Sequence, residues 1–154
     1  MNLLKTHPFA VKAHFESSIV LTYAFPKVQL ESLIPAALTL DTFEDKFAFV
    51  AVAFVKVQGL RAAVLPPLFG TVFMLGGFRI FAKYKSSTGR NYRGLYILKS
   101  LTDASAMKWL GNAMTHYNYS KVPISFVRSK SSFCVQSEEL SFEAEKKAEV
   151  NLPL

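Results

Sequence analysis

The sequence contains a single cysteine, Cys134, and this scarcity of thiols limits what the chain can be. One cysteine cannot form a disulfide within the chain, and it cannot supply the paired thiolates of a structural zinc site. A chain without a disulfide framework is typical of a reducing compartment. We therefore expect a cytoplasmic protein that is stabilised by a hydrophobic core.

Long apolar segments are lacking as well. The N-terminal residues 1–9 show neither the continuous apolar stretch nor the small-residue cleavage site of a signal peptide. The longest uncharged apolar run, Phe47 to Val55, has nine residues. A membrane-spanning helix needs about 20 apolar residues, so the sequence predicts no membrane partner.

Runs of basic residues are missing, although the chain is basic overall. Lys and Arg number 18 against 11 Asp and Glu, which gives a formal net charge of +7, yet no run of four or more basic residues occurs. Charge alone bears on solubility and non-specific binding rather than on fold. The sequence also lacks a recognition helix and an aromatic-plus-basic stacking motif. We therefore predict no nucleic-acid partner and keep nucleic-acid binding as the least favoured function.

One local cluster of charge brackets a predicted turn. It consists of Lys83, Lys85, Arg90 and Arg93. These residues could form a patch that faces a phosphate, or they could mark the solvated tip of a hairpin, since strand edges often carry lysine. The sequence leaves both interpretations open.

The usual spacings of catalytic and metal-binding residues are absent. His7, His14 and His116 lie far apart, with no HxH or HExxH pairing, and the chain has no Gly-x-Ser-x-Gly motif. Gly76-Gly77 is not a dinucleotide fingerprint because no helix follows it. We expect neither a metal site nor a cofactor.

What the chain does have is apolar and aromatic residues in abundance. The apolar fraction is 51% and Phe alone supplies 14 residues, which argues against disorder. The length fits one domain over residues 1–154, with a flexible tail from about residue 143. The fold class predicted is α+β, mainly antiparallel β, with a sheet that curls into a barrel or cone and with one long and one short helix.

Hydrophobic periodicity places the elements along the chain. The segment 47–57 is apolar on both faces, so it should be a central strand that is covered on both sides. The predicted elements are strands at 17–25, 38–43, 47–57, 72–85, 91–100, 124–128, 132–137 and 140–142, a short helix at 27–34, and a long helix from Ala104 to about Tyr117. Thr102 or Asp103 should cap the long helix, and Met107, Leu110, Met114 and Tyr117 should form its buried stripe.

The predicted loop at 58–71 is long and unusually apolar. It contains Leu65, Leu68 and Phe69 together with two prolines that stiffen it. Because long loops in compact domains are often lids, we expect these side chains to fold back over the mouth of the barrel.

Two basic residues interrupt otherwise apolar strands. Arg79 lies in Gly-Gly-Phe-Arg-Ile-Phe-Ala, and Lys99 lies near the end of the next strand. If the turn is centred near Thr88, the two side chains share a face, and the arginine would favour a neutral, nucleophilic lysine. A register slip of one residue would separate them. Alternatively, both extend to solvent at the rim of the sheet.

Three carboxylates precede these strands and could pair with Arg79. They are Glu16, Glu31 and Asp41. Nothing in their spacing singles out one of them as the partner of the arginine.

A series of short motifs resembles the YqjF-like family, a domain of unknown function. The motifs are Leu33-Ile34-Pro35-Ala36-Ala37-Leu38-Thr39-Leu40-Asp41-Thr42-Phe43, the strand 47–54, Leu65-Pro66-Pro67-Leu68-Phe69-Gly70, Phe78-Arg79-Ile80-Phe81, and Ser100-Leu101-Thr102-Asp103-Ala104-Ser105. Their order and spacing agree with the family over residues 16 to about 126. That family is similar in fold to acetoacetate decarboxylase, which implies a cone-shaped antiparallel barrel with a small interior pocket.

The resemblance also implies a candidate site. Acetoacetate decarboxylase uses a lysine pair, one member of which forms a Schiff base, and only Lys99 corresponds to it here because Ser100 stands in place of the second lysine. We therefore take Lys99 as the catalytic candidate. Four residues are predicted to bind substrate: Gly77, Arg79, Phe81 and Phe69.

Two functions from different classes follow from this site. The first is binding of a small carbonyl or carboxylate compound in an apolar interior pocket, with lyase chemistry through a Schiff base if the protein is an enzyme. The second is a non-catalytic binding module for an apolar ligand. The expected partner is a small molecule, and a second copy of the chain could supply barrel strands, so a homo-oligomer is also an expectation.

Overall fold

A computed structural model of the protein describes residues 10–115, 117–129 and 131–145. The chain divides into two compact units, Met1–Lys121 and Val122–Leu154. None of the described helices is long and apolar enough to cross a lipid bilayer.

The first unit is built on one sheet of seven strands. Along the main path the order is β1-β4-β5-β6-β7, while β2 pairs with β5 and β3 pairs with β4. All pairs are antiparallel except β6 with β7. The strands are β1 Val11–Pro26, β2 Thr39–Leu40, β3 Thr42–Phe43, β4 Phe47–Ala62, β5 Thr71–Lys85, β6 Asn91–Thr102 and β7 Tyr119–Lys121.

The predicted fold class is confirmed, but the sheet is open. Its two edges are β1 and β7, which do not pair with each other within the described residues. The predicted closure into a barrel is therefore not found in the part of the chain that the structure covers.

The strand β4 is an interior strand of the sheet that is covered on both faces, as its sequence predicts. It lies between β1 and β5, and residues of both parities are buried, including Ala53 and Val57 on one face and Val52 and Phe54 on the other. Double-sided burial explains why this strand is apolar at almost every position.

The strand β4 is longer than predicted. It continues through Gly59 to Ala62, so the predicted loop at 58–71 shrinks to residues 63–70. Gly59 has a positive φ of 63°, and the register with β5 shifts between Val57 and Leu60. The glycine thus forms a bulge within the strand rather than ending it.

Two helices accompany the sheet. The helix α1, Lys27–Leu30, runs into a 3-10 turn at Glu31–Leu33, and Leu30 is buried against Ala48 and Ile80 of the sheet. The helix α2, Ser105–Met114, is shorter than predicted.

The predicted cap of α2 is wrong, and so is its predicted buried stripe at two of the four positions. Leu110 is 43% exposed and Tyr117 is 44% exposed, whereas Met107 is half-buried and the side chain of Met114 lies outside the described part of the chain. No side chain caps the helix at Ala104. Instead, Asp103 Oδ1 accepts a hydrogen bond from the Met74 backbone N–H at 2.8 Å. The aspartate continues the ladder between β5 and β6 where the backbone of β6 ends.

The second unit contains a three-stranded antiparallel sheet in the order β10-β9-β8. Its strands are β8 Ile124–Arg128, β9 Ser132–Ser137 and β10 Ser141–Glu145. The predicted hairpin is confirmed. The last strand extends past the predicted residue 142 to Glu145, where we expected a tail, and residues 146–154 lie outside the described part.

Candidate functional site

The half-buried Arg79 lies on one face of the sheet together with Gly77 and Phe81, as the alternation of β5 requires. Its guanidinium folds back over Gly77: a Cβ added to that glycine would lie 3.4 Å from Nη2 of Arg79. The glycine therefore leaves room for the arginine to lie against the backbone. We call this surface, with the cross-strand partners of these residues, the Arg79 face.

Two residues with hydroxyl groups follow Gly77 in the line of cross-strand partners that runs from β5 to β7. Ser100 of β6 pairs with Gly77 and is buried, and Tyr119 of β7 pairs with Ser100. The helix α2 contacts the Tyr119 ring, because a Cβ on Gly111 would lie 2.7 Å from it. Asn112 holds the backbone of Tyr119 through hydrogen bonds of 3.0 Å to its C=O and 2.5 Å from its N–H.

The electrostatics of Tyr119 link it to Arg79. Burial raises the pKa of the Tyr119 phenol, the neighbouring Tyr117 phenol adds to the rise, and the Arg79 guanidinium opposes it. The phenol therefore stays protonated at neutral pH, and Tyr119 can donate a hydrogen bond near the arginine.

Aromatic residues border the other side of Arg79. Phe81 and Phe49 meet edge to face on neighbouring strands, with 6.3 Å between ring centroids. Ala51 and Ile97 are the cross-strand partners of Arg79 itself. The side chains next to the arginine on the two neighbouring strands are thus small or apolar.

Arg79 has no acidic partner among the described residues. The three carboxylates that could have paired with it bind other cations: Glu16 binds Lys56, Glu31 lies near Lys27, and Asp41 binds Lys83 and Arg93. No salt bridge within residues 10–115, 117–129 and 131–145 involves Arg79. Its charge is therefore left for water or a ligand to compensate.

The expected juxtaposition of Lys99 and Arg79 does not occur. Lys99 pairs with Phe78, whereas Arg79 pairs with Ile97, so the strand β6 has one extra residue, Leu98, at this point. Because cross-strand partners share a face, the register places Lys99 on the face opposite Arg79. A bulge of one residue thus produces the separation that a register slip would cause.

The comparison with known families decides what this chain is. The profile of DUF2071, described as an uncharacterized conserved protein, matches residues 12–153. The chain belongs to the DUF2071 family. The resemblance noted in the sequence is therefore confirmed. No curated protein sequence matches this DUF2071 chain.

The fold of this DUF2071 chain is similar to a solved acetoacetate decarboxylase. The crystal structure of that enzyme from Legionella pneumophila matches with a TM-score of 0.61 and 11% sequence identity. The match covers 86% of this chain and 46% of the decarboxylase, so the chain spans less than half of that protein's length. At this identity the similarity establishes the fold alone.

The predicted lid of this DUF2071 chain is not formed. Leu65, Leu68 and Phe69 are 43%, 90% and 60% exposed, so they point to solvent rather than over an apolar interior. Phe69 belongs to a 3-10 turn at Pro67–Phe69, whereas Gly77, Arg79 and Phe81 share the sheet face. The structure therefore brings three of the four predicted substrate-binding residues together and leaves Phe69 apart.

An ion-pair cluster around a buried carboxylate was not predicted from the sequence. Asp41 is only 8% exposed, and its two carboxylate oxygens bind Lys83 Nζ at 2.9 Å and Arg93 Nε at 2.6 Å. The hydrogen bond from Arg93 lowers the pKa of the Asp41 carboxyl, desolvation by burial opposes it, and the bond and charge of Lys83 add to the lowering. Lys85 and Arg90 of the same basic cluster are exposed.

Metal ligation finds no support in the described residues. Over that part of the chain, no group of three or more His, Cys, Asp or Glu side chains lies close enough to hold an ion. Of the three histidines considered in the sequence, His7 and His116 fall outside the described residues.

Proposed function

We propose that this chain binds a small carboxylate-bearing compound on the Arg79 face, with the ligand carboxylate on the Arg79 guanidinium. The observation that carries the proposal is the half-buried guanidinium without an acidic partner in the described residues. Removing a charge from water without compensation is costly. A planar guanidinium binds a carboxylate through two parallel hydrogen bonds, which makes a carboxylate the matching ligand group.

The surroundings of Arg79 favour a small ligand with a polar and an apolar end. The hydroxyl-bearing Ser100 and Tyr119 lie along the row on one side, and the Phe81 and Phe49 rings lie on the other. A small compound that has a carboxylate, a carbonyl oxygen and a short carbon chain fits these surroundings. Its polar end would meet the hydroxyl groups, and its apolar end would meet the phenylalanine rings.

The geometry favours binding over Schiff-base lyase chemistry at this face. A carbonyl compound held by Arg79 would need a lysine on the same face, and the register assigns Lys99 to the other one. Of the two functions considered from the sequence, the non-catalytic module is the one this face supports, with a carboxylate rather than a purely apolar ligand.

The test compares a small 3-oxo acid with its neutral ester. We expect acetoacetate to bind and its methyl ester to bind about tenfold more weakly or worse, since a charge-assisted hydrogen bond is worth about 1.5–3 kcal/mol. Arg79→Met should reduce the affinity for the acid to that for the ester, as measured by calorimetry or NMR titration. Lys99→Met is the matched control and should bind the acid as the wild type does. Equal binding of the acid by wild type and Arg79→Met would overturn the proposal.

A further inference from the structure

A cavity lies on the face opposite Arg79, over the hairpin formed by β5 and β6. Its volume is about 180 Å³. Its floor is the cross-strand pair Ala82 and Gly94, and larger pairs flank this low point: Tyr84 with Tyr92 on one side and Ile80 with Tyr96 on the other. We call the cavity the tyrosine cleft. Its lining includes the rings of Tyr84, Tyr92 and Tyr96, with Leu38 at the side.

Neither a close contact nor the backbone conformation requires a glycine at position 94 in the floor of the cleft. A Cβ on Gly94 would meet no heavy atom within 4 Å, and the backbone there has no positive φ. A glycine within a strand weakens it by about 0.5–1 kcal/mol relative to alanine. Such a glycine often marks a place where a ligand approaches the backbone closely. At Gly94 the free space is the cleft itself.

The walls and the volume define the kind of ligand. Three tyrosine rings around a small floor favour a flat aromatic ring, which can stack on one ring and meet another edge-on. A cavity of about 150 Å³ in another protein holds benzene, so about 180 Å³ accommodates a single ring.

The charges around the cleft define the rest of the ligand. Arg90 lies over the Tyr92 ring at 5.4 Å from its centroid, and no salt bridge within the described residues involves it. Lys83 and Arg93 also border the cleft, but they are a cross-strand pair on the Arg79 side of the sheet, where their side chains bind Asp41. Arg90 therefore supplies the positive charge beside the cleft, which favours an anionic ligand.

We propose that the tyrosine cleft binds a single-ring aromatic compound that carries an anionic group, with the ring over Gly94 and the anion toward Arg90. This site is separate from the Arg79 face, and the two proposals stand or fall independently. Of the basic residues around the hairpin turn, Arg90 is the one that this proposal assigns to a ligand.

The experiment uses benzoate as the probe, with benzamide and cyclohexanecarboxylate as matched compounds that lack the charge or the aromatic ring. Binding to the full chain is followed by saturation-transfer and chemical-shift NMR, and we expect a Kd for benzoate of about 1 mM or tighter, as befits a fragment-sized ligand. Both matched compounds should bind at least about fivefold more weakly, because each loses one of the two recognition elements.

Gly94→Val, whose Cβ would meet no heavy atom within 4 Å, places a side chain in the cleft and should weaken benzoate binding by about tenfold or more, since the ring and the new side chain compete for one space. Because valine suits a strand better than glycine, the variant should fold, which circular dichroism verifies. Arg79→Met is the control for the other face: it should leave the benzoate-induced shifts at Gly94 and Tyr92 unchanged, even where benzoate, itself a carboxylate, also contacts Arg79.

Unchanged benzoate affinity in Gly94→Val would overturn the proposal, and so would the absence of binding to the wild type. If Arg79→Met lost benzoate binding while Gly94→Val kept it, the compound would be assigned to the Arg79 face instead. Equal affinity for benzoate and benzamide would overturn the anionic part.

Discussion

Gly76 lies directly under the ring of Phe54 from the neighbouring strand. A Cβ on Gly76 would be 3.0 Å from Cε1 of that ring and 3.2 Å from Cβ of Leu101 on the other side. Both neighbours are fully buried, so any shift that relieved these contacts would disturb the packing around them. We expect Gly76→Ala to lower the free energy of unfolding by about 1–3 kcal/mol, the usual cost of overpacking a core.

The matched control for Gly76→Ala is Gly94→Ala on the adjacent strand, where the added methyl meets no atom within 4 Å. Gly94→Ala should be neutral or stabilise the protein by up to about 1 kcal/mol, because it restricts the unfolded chain. Urea unfolding of both variants measures the difference. If the two alanines had equal effects, the close approach at Gly76 would not be a constraint.

The ion-pair cluster at Asp41 gives a pH dependence with a defined sign. The pKa of this carboxyl is lowered in the folded chain, chiefly by the hydrogen bond from Arg93. Its stabilising contribution is therefore present above the unfolded value near pH 4 and is lost as the pH falls through the lower folded value. The free energy of unfolding of the wild type should exceed that of Asp41→Asn at neutral pH by about 1–2 kcal/mol, toward the lower figure because solvent screens the exposed Arg93.

The measurement for Asp41 is a series of urea unfolding curves from neutral to strongly acidic pH. The gap between wild type and Asp41→Asn should narrow steadily below about pH 4. Asp45→Asn is the control, since Asp45 pairs with Lys27 but its side chain is 80% exposed, and it should change the unfolding free energy much less. A gap that stayed constant over the whole series would show that Asp41 acts by packing rather than by charge.

Two substitutions in the loop at 63–70 should differ in their effect on stability: one should have little effect and the other should be destabilising. Leu68 is 90% exposed, so Leu68→Ser should change the unfolding free energy by no more than about 0.5 kcal/mol. Gly70 approaches the opposite backbone, where a Cβ would lie 2.6 Å from Gly59 Cα. Gly70→Ala forces two backbone segments apart and should cost about 1–3 kcal/mol. Thermal unfolding of both variants tests this, and a large effect of Leu68→Ser would restore the idea of a lid.

The elements of this fold were predictable where a local pattern determines them. Alternation and flanking turn residues located most strands, and double-sided apolarity identified β4 as central, because burial acts directly on residue type. The alternation along β5 likewise predicts that Gly77, Arg79 and Phe81 share one face of the sheet. These predictions needed only the period of two along a single strand.

Other features could not be predicted because they depend on pairing between distant segments. The bulge at Leu98 in β6 has no glycine or proline next to it, so no residue in the sequence indicates its position. The sequence predicts a loop from residue 58, whereas the positive φ of Gly59 allows the strand to continue past it. The partners of Asp41 follow from the pairing of β2 with β5, which brings Asp41 beside Phe81, where its backbone N–H donates to the Phe81 carbonyl.

The separation of Lys99 from Arg79 leads to the last prediction. If the two side chains lie on opposite faces of β5 and β6, the arginine cannot alter the reactivity of the lysine by direct contact. We expect the rate at which Lys99 is acetylated, measured by peptide mapping, to agree within about twofold between wild type and Arg79→Met, as for a pair that is not coupled. Phe78→Glu is the positive control, because residue 78 is the cross-strand partner of Lys99 and a carboxylate there should slow the labelling of that lysine alone. A change in Lys99 labelling in Arg79→Met as large as that in Phe78→Glu would mean that the lysine and the arginine share a site after all, and Schiff-base chemistry at the Arg79 face would again be a candidate function.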